Sequence, residues 1–146
     1  MNGDKSKGGG TGIESDYYDD DAHGYRIYQP NDGLRLKRVY EPAGDDDGTR
    51  VLVDRLWPRG IAKEDANWDI WLKEIAPSTE LRKWFAHKKE RWPEFRERYE
   101  AELRSNTEPV QQLRQLMEKG RVTLVFAAKD ELRNQAVVLF EFLTDD

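Results

Sequence analysis

The chain contains no cysteine. That single absence removes disulfides, thiolate nucleophiles and zinc-thiolate sites, so stability must come from packing and chemistry from oxygen and nitrogen groups. Histidine is nearly missing too: His23 and His87 are the 2 in 146 residues, and a structural zinc site has no ligand set. No apolar run approaches the roughly 20 residues of a membrane-spanning helix, and the N-terminus lacks a basic segment followed by an apolar one. A cytoplasmic protein with no membrane partner is the expectation. Hydrophobic residues are sparse at 37%, low for a globular domain but too many for disorder throughout. A length of 146 residues suits one domain with a real core.

Charge is unevenly spread. Residues 1–33 carry 3 basic and 7 acidic groups and 8 hydrophobic residues, so most of the chain's net charge of -5 belongs to this leader. With Gly8-Gly9-Gly10 and Asp19-Asp20-Asp21 it holds too little apolar surface to offset the entropy of ordering. Residues 1–24 therefore read as a disordered acidic, Gly-rich tail, and residues 25–146 as one domain.

Within the domain, Leu34 to Val39 begins with strand alternation, and Arg50 to Asp54 and Val122 to Ala128 are further strands. The continuously apolar Val51-Leu52-Val53 suits a strand covered on both faces. Between them the period becomes helical. Trp92, Phe95, Tyr99 and Leu103 form one stripe, with Pro93 in a first turn, and Val110, Leu113, Leu116 and Met117 form another between Thr107 as N-cap and Gly120 as C-cap. Asp130 is the expected cap of a last helix with Leu132, Ala136, Leu139, Phe140 and Leu143 inside. Strands interleaved with helices predict a small α/β layered sandwich, its three or four strands mainly parallel and flanked by helices.

All 5 tryptophans, Trp57, Trp68, Trp71, Trp84 and Trp92, lie between Leu56 and Trp92. The spacing places Trp68 and Trp71 on one helix face, and Ser78 after Pro77 is a candidate N-cap for the segment from Thr79 to Phe85.

Ligands of open α/β sheets bind beyond the carboxyl ends of the strands. Two strands here run into polar strings: Asp54-Arg55-Leu56-Trp57-Pro58-Arg59-Gly60, and Lys129-Asp130 followed by Arg133 and Asn134. Pro58 and Gly60 make the first loop short and stiff around Arg59. If the strands are parallel neighbours, Arg55, Trp57, Arg59, Lys129, Arg133 and Asn134 are the candidate ligand-binding set, suited to a phosphate, carboxylate or sulfate. A structural alternative has Asp54 pairing with Arg55 or Arg59 to clip the loop to the sheet. His87, the only domain side chain with an ordinary pKa near neutrality, joins Asp54 and Asp130 as the candidate acid-base groups. Magnesium on Asp54 and Asp130 lacks a characteristic ligand spacing, and no metal site is expected. Lys88, Lys89, Arg91, Arg96 and Arg98 interleave with Trp92 and Phe95, a mixture able to track a nucleic-acid strand, but Glu90, Glu94, Glu97, Glu100 and Glu102 stand at pairing distance along a helix.

These strings carry a resemblance. Arg50 to Gly60, Trp71 to Phe85 with His87, Trp92, Phe95, Tyr99 to Leu103, and Thr123 to Asp130 with Asn134 and Ala136 resemble the YeaO-like family, the domain of unknown function numbered 488, over about residues 34 to 143. The resemblance implies a compact α/β protein of the prokaryotic cytosol and no established activity. More distant branches place cysteine and histidine around the last strand and helix turn, where this chain has Ala127, Ala128 and Asn134, so thiol chemistry is excluded here. The expected function is binding of a small anionic ligand at the strand ends, with or without catalysis. A nucleic-acid-binding or regulatory protein-interaction module is the alternative. No residue pattern names a cofactor, a reaction or an oligomeric state.

Overall fold

The apolar strings become the strands of one parallel sheet. The computed structural model describes residues 33–145, and the expectations for the tail at 1–24 and for residues 25–32 lie outside the described residues. Strands β1 (Leu34–Arg38), β2 (Thr49–Leu52), β3 (Ile70–Trp71) and β4 (Val122–Phe126) are ordered β1-β4-β2-β3. All three pairings are parallel, with Leu36 opposite Leu124 and Val51 opposite Leu124. Helices α1 (Thr79–Phe85), α2 (Trp92–Ser105), α3 (Thr107–Lys119) and α4 (Gln135–Thr144) complete a small α/β sandwich.

The period of two along each strand sorts its residues between two faces. Leu34, Leu36, Val51, Val53, Val122, Leu124 and Phe126 meet the helices in the main core. There Phe85, Trp92, Phe95 and Tyr99 stack in sequence, with Phe85 and Phe95 only 4.3 Å apart between ring centres. On the other face Val39, Leu52 and Val125 form a second cluster covered by Ile61, Trp68 and Trp71. Val51-Leu52-Val53 is thus covered on both sides, as its composition predicts, but the second cover is the tryptophan-bearing loop rather than a helix. At the opposite end of that face, buried Asp47 accepts at Oδ2 from Lys37, Arg50 and the Gly44 N–H, while its Oδ1 faces the Lys37 ammonium at 3.0 Å; against the opposing effect of burial, these partners hold the carboxyl below its ordinary value.

Several local expectations are corrected. Trp68 and Trp71 do not share a helix: Asp69 N–H donates to Arg50 O (2.8 Å) and Leu72 N–H to Leu52 O (3.0 Å), so the segment becomes edge strand β3. Backbone pairing against the open side of β2 outweighs a three-residue spacing. Strands β1, β2 and β4 stop one or two residues early, at Arg38, Leu52 and Phe126: one further backbone bond follows β1 (Val39 N–H to Phe126 O, 2.7 Å) and β2 (Val53 N–H to Val125 O, 3.1 Å), and past β4 the Ala127 N–H turns to the Asp54 carboxyl. Thr107 is the first residue of α3, not its cap; Asn106 precedes it, and its side chain donates to Glu74 O (2.7 Å). Asp130 does not cap α4. It closes a turn on the Leu132 and Arg133 amides (3.0 and 3.2 Å), which leaves Leu132 outside the helix and the capping to Asn134. Ser78 does cap α1, its Oγ accepting from Leu81 N–H at 3.1 Å, and Pro93 sits in the first turn of α2.

Candidate functional site

Because β2 and β4 are parallel neighbours, the loops that follow them leave the same edge of the sheet, and the loop after β1 leaves it on the far side of β4. The structure thus brings both polar strings to one edge. How each side chain is used there differs from residue to residue.

Asp54 is at the centre of the junction. Its Oδ2 accepts from Ala127 N–H (3.1 Å), its Oδ1 accepts from the Gln135 amide, and its carbonyl accepts from Trp71 Nε1–H (2.7 Å). One carboxyl group therefore ties the end of β2 to the end of β4 and the start of α4. Neither Arg55 nor Arg59 bonds it, so the expected Asp54-arginine clip does not form. Burial is the dominant influence on its titration, only partly offset by its neutral donors, and pushes the carboxyl up to about 6.

Arg55 points away from that junction. Its Nε and Nη2 donate to the Pro77 and Ala76 carbonyls (3.3 and 3.1 Å) just before α1, so the clip that holds the loop comes from arginine to backbone. Ser78 beside them is held by Glu102, which accepts from both its N–H (2.9 Å) and its hydroxyl (2.6 Å). In the β4 loop, Arg133 Nε donates to Asp130 Oδ2 (2.9 Å), and Asn134 spends its side chain on the Val137 N–H (3.1 Å) and the Asp130 carbonyl (2.9 Å). The first turn of α4 is thus capped from within.

Arg59 and Lys129 are arranged differently. Both are exposed, and neither side chain makes a hydrogen bond or ion pair among the described residues. Arg59 is nonetheless fixed in the backbone: its carbonyl accepts from the Tyr40 hydroxyl (2.8 Å), Pro58 before it is buried, and Gly60 after it adopts φ +82°, open to glycine at no steric cost. Trp57 is held in the same loop by its Nε1–H, which donates to Ile61 O (2.7 Å).

His87 is not drawn into this edge. It is exposed just past the C-terminal end of α1 at φ +57°, with Phe85 as its ring neighbour at 5.6 Å. The seven residues of α1, about 10 Å of axial rise, separate it from the Ser78 end to which Arg55 is bonded. No contact joins Asp54 to Asp130, and among the described residues no group of three or more His, Asp or Glu gathers as metal ligands do. On the basic surface, Trp92 and Phe95 are buried, Arg91 and Arg98 lie over the Trp84 ring, Arg96 pairs with Glu141, and Arg98 pairs with Glu94. Lys88 and Lys89 remain as solvated charges.

Two cavities open elsewhere on the described surface. One of about 320 Å³ is bounded by Arg96, Arg104, Arg114 and Glu141, the other of about 150 Å³ by Ile70, Leu72 and Leu116. The strand-end residues line neither; of them Trp57, Arg59 and Lys129 lie exposed. Sequence reasoning missed Tyr40, which anchors Arg59, and Gln135, which completes the Asp54 junction. It also missed Arg38, whose guanidinium donates to the Ala127 and Ala128 carbonyls (3.0 and 2.9 Å). Only Arg38 carried a readable mark, a charge at the end of a strand.

A family model described as the inactive DUF488-N3 subclade matches residues 33–146. The chain belongs to this family. It is 47% identical over 110 residues to the uncharacterized protein YeaO of Escherichia coli, covering 75% of this chain and 96% of that one. It is also 46% identical over 110 residues to the uncharacterized protein Rv3073c of Mycobacterium tuberculosis, covering 75% and 92%. No solved structure matches. The matched region takes in the whole sheet and every helix described above. No helix among the described residues is long and apolar enough to cross a membrane.

Proposed function

We propose that this YeaO-like domain binds a small anionic ligand, bearing phosphate or carboxylate, at the carboxyl edge of its sheet, and does so without turning it over. The observation that carries the reading is Arg59. A residue whose backbone is pinned by Tyr40, between a buried proline and a left-handed glycine, but whose guanidinium is left unpaired, is positioned for something outside the fold. Lys129, exposed on the neighbouring β4 loop, supplies a second charge for the same edge. Arg55, Arg133 and Asn134 become scaffold, since Arg55 is bonded to the Ala76 and Pro77 carbonyls, Arg133 to Asp130, and Asn134 to the Val137 N–H and the Asp130 carbonyl. Trp57 supplies apolar wall.

Binding rather than catalysis is supported from three sides. The subclade is described as inactive. Both oxygens of Asp54 are engaged, and Asp130 is committed to Arg133 and to two backbone amides. His87, the remaining acid-base candidate, stands at the far end of α1.

The test is a thermal-shift screen of the full chain against inorganic phosphate, sulfate, sugar phosphates, nucleotides and small carboxylates at millimolar concentration. A ligand present at ten times its Kd adds about 1.4 kcal/mol, a rise in Tm of several degrees. Arg59→Ala, whose side chain has no internal partner to lose, is expected to keep the unliganded Tm and to lose the shift. An Arg59→Ala protein that responds to the ligand as the parent does refutes the assignment.

A further inference from the structure

Tyr40, Leu56 and Trp57 are the large hydrophobic side chains left exposed among the described residues, at 44%, 60% and 38%. They stand in the loops that follow β1 and β2, on the same edge of the sheet as Arg59 and Lys129. Scattered exposed apolar side chains are ordinary, whereas three gathered on one edge mark a contact surface.

Two of the three are aromatic, and both are rigidly held. Trp57 crosses Trp68 at 66° and Trp71 at 76°, with ring centres 5.0 and 5.7 Å away, and its indole N–H is fixed on Ile61 O. Tyr40 has the Arg38 guanidinium over its ring at 4.8 Å and its hydroxyl on Arg59 O. Arg59 is therefore bracketed by a ring two residues before it in its own loop and by a ring from the β1 loop. Little conformational entropy remains to be lost at either ring when a ligand arrives.

Resting on the reading of this edge as an anion site, we infer that its ligand is an anion that carries a planar ring, a nucleoside monophosphate, with the phosphate on Arg59 and Lys129 and the base against Trp57. An inorganic anion leaves the exposed rings unused, and an uncharged apolar ligand leaves the two unpaired cations unused. A base with its phosphate uses both. The same chemistry is offered by a free nucleotide and by one within a single strand. The free nucleotide is favoured because Trp92 and Phe95, which would continue a stacking track, are in the core, and Arg91 and Arg98 already cover Trp84.

The experiment titrates the full chain with AMP, adenosine and inorganic phosphate, followed by calorimetry and by the indole N–H resonances in NMR. AMP is expected to bind about tenfold more tightly than phosphate, the gain of one stacked base. AMP is also expected to move the Trp57 indole resonance, assigned by its disappearance in Trp57→Phe, and Arg59→Ala is expected to weaken AMP and phosphate alike. Phosphate binding as tightly as AMP, with the Trp57 resonance unmoved, overturns the nucleotide assignment and leaves the anion site standing. Binding of neither overturns both readings. A short oligothymidylate bound far more tightly than its mononucleotide overturns the choice of the free nucleotide.

Discussion

Asparagine at position 54 tests the junction between β2, β4 and α4 directly. The Asp54 carboxyl is buried against neutral donors, Ala127 N–H and the Gln135 amide, and titrates at about 6 against an ordinary value of 3.8. The folded chain therefore holds a proton through the window from about pH 4 to pH 6 that the unfolded chain has released, and stability falls as pH rises across it. A shift of about two pH units corresponds to about 3 kcal/mol, lost between pH 4 and pH 7. Asp54→Asn keeps the shape and the acceptor for Ala127 N–H, and a flipped Gln135 amide can accept from the new NH₂. It has no proton to lose. Urea unfolding of parent and variant at intervals from pH 4 to pH 8 measures the difference, in which all other titrating groups cancel. The variant is expected to gain on the parent as pH rises, by about 1.5 M in urea midpoint at neutral pH. A difference that stays flat, or that moves against the variant as pH rises, refutes the claim that burial dominates at Asp54.

Three further substitutions test the backbone geometry through stability. Gly48→Ala places a Cβ 2.1 Å from the Arg121 carbonyl, a backbone atom bonded to Thr49 N–H, at φ +69°, and is expected to cost about 3 kcal/mol or more in urea unfolding. Gly60→Ala has φ +82° but open space around it, and is expected to cost only about 1 kcal/mol; equal losses at the two positions would show that the Arg121 contact is not what demands glycine at 48. Ala86 ends α1 in the left-handed region at φ +47°, so Ala86→Gly is expected to raise stability by about 1 kcal/mol, and a variant less stable than the parent contradicts that account of the cap.

Periodicity and capping chemistry made much of the architecture legible. The stripe Trp92, Phe95, Tyr99 and Leu103 became the buried face of α2, and Ser78 capped α1, because both depend on neighbours within a few residues. Trp68 and Trp71 misled because their spacing fits a helix equally well, while the decision lay with β2, whose open edge sits almost 20 residues earlier in the chain. Asp130 and Asn134 are both good caps, and only the turn made by Asp130 on Leu132 and Arg133 settled which one α4 uses.

Composition alone determined that this chain has no thiol chemistry and no histidine-cysteine metal site, since those need side chains it does not have. Its apolar strings likewise determined which segments lie inside, because the cost of exposing them does not depend on topology. The strand order β1-β4-β2-β3 decided what the polar strings do. It set Asp54 against Ala127 and Gln135 rather than against an arginine, sent Arg55 to the start of α1, and left Arg59 beside Tyr40 with its charge unspent. Hydrogen-bond partners across 19 to 81 residues are fixed by which strands lie side by side, and local sequence contains no record of that.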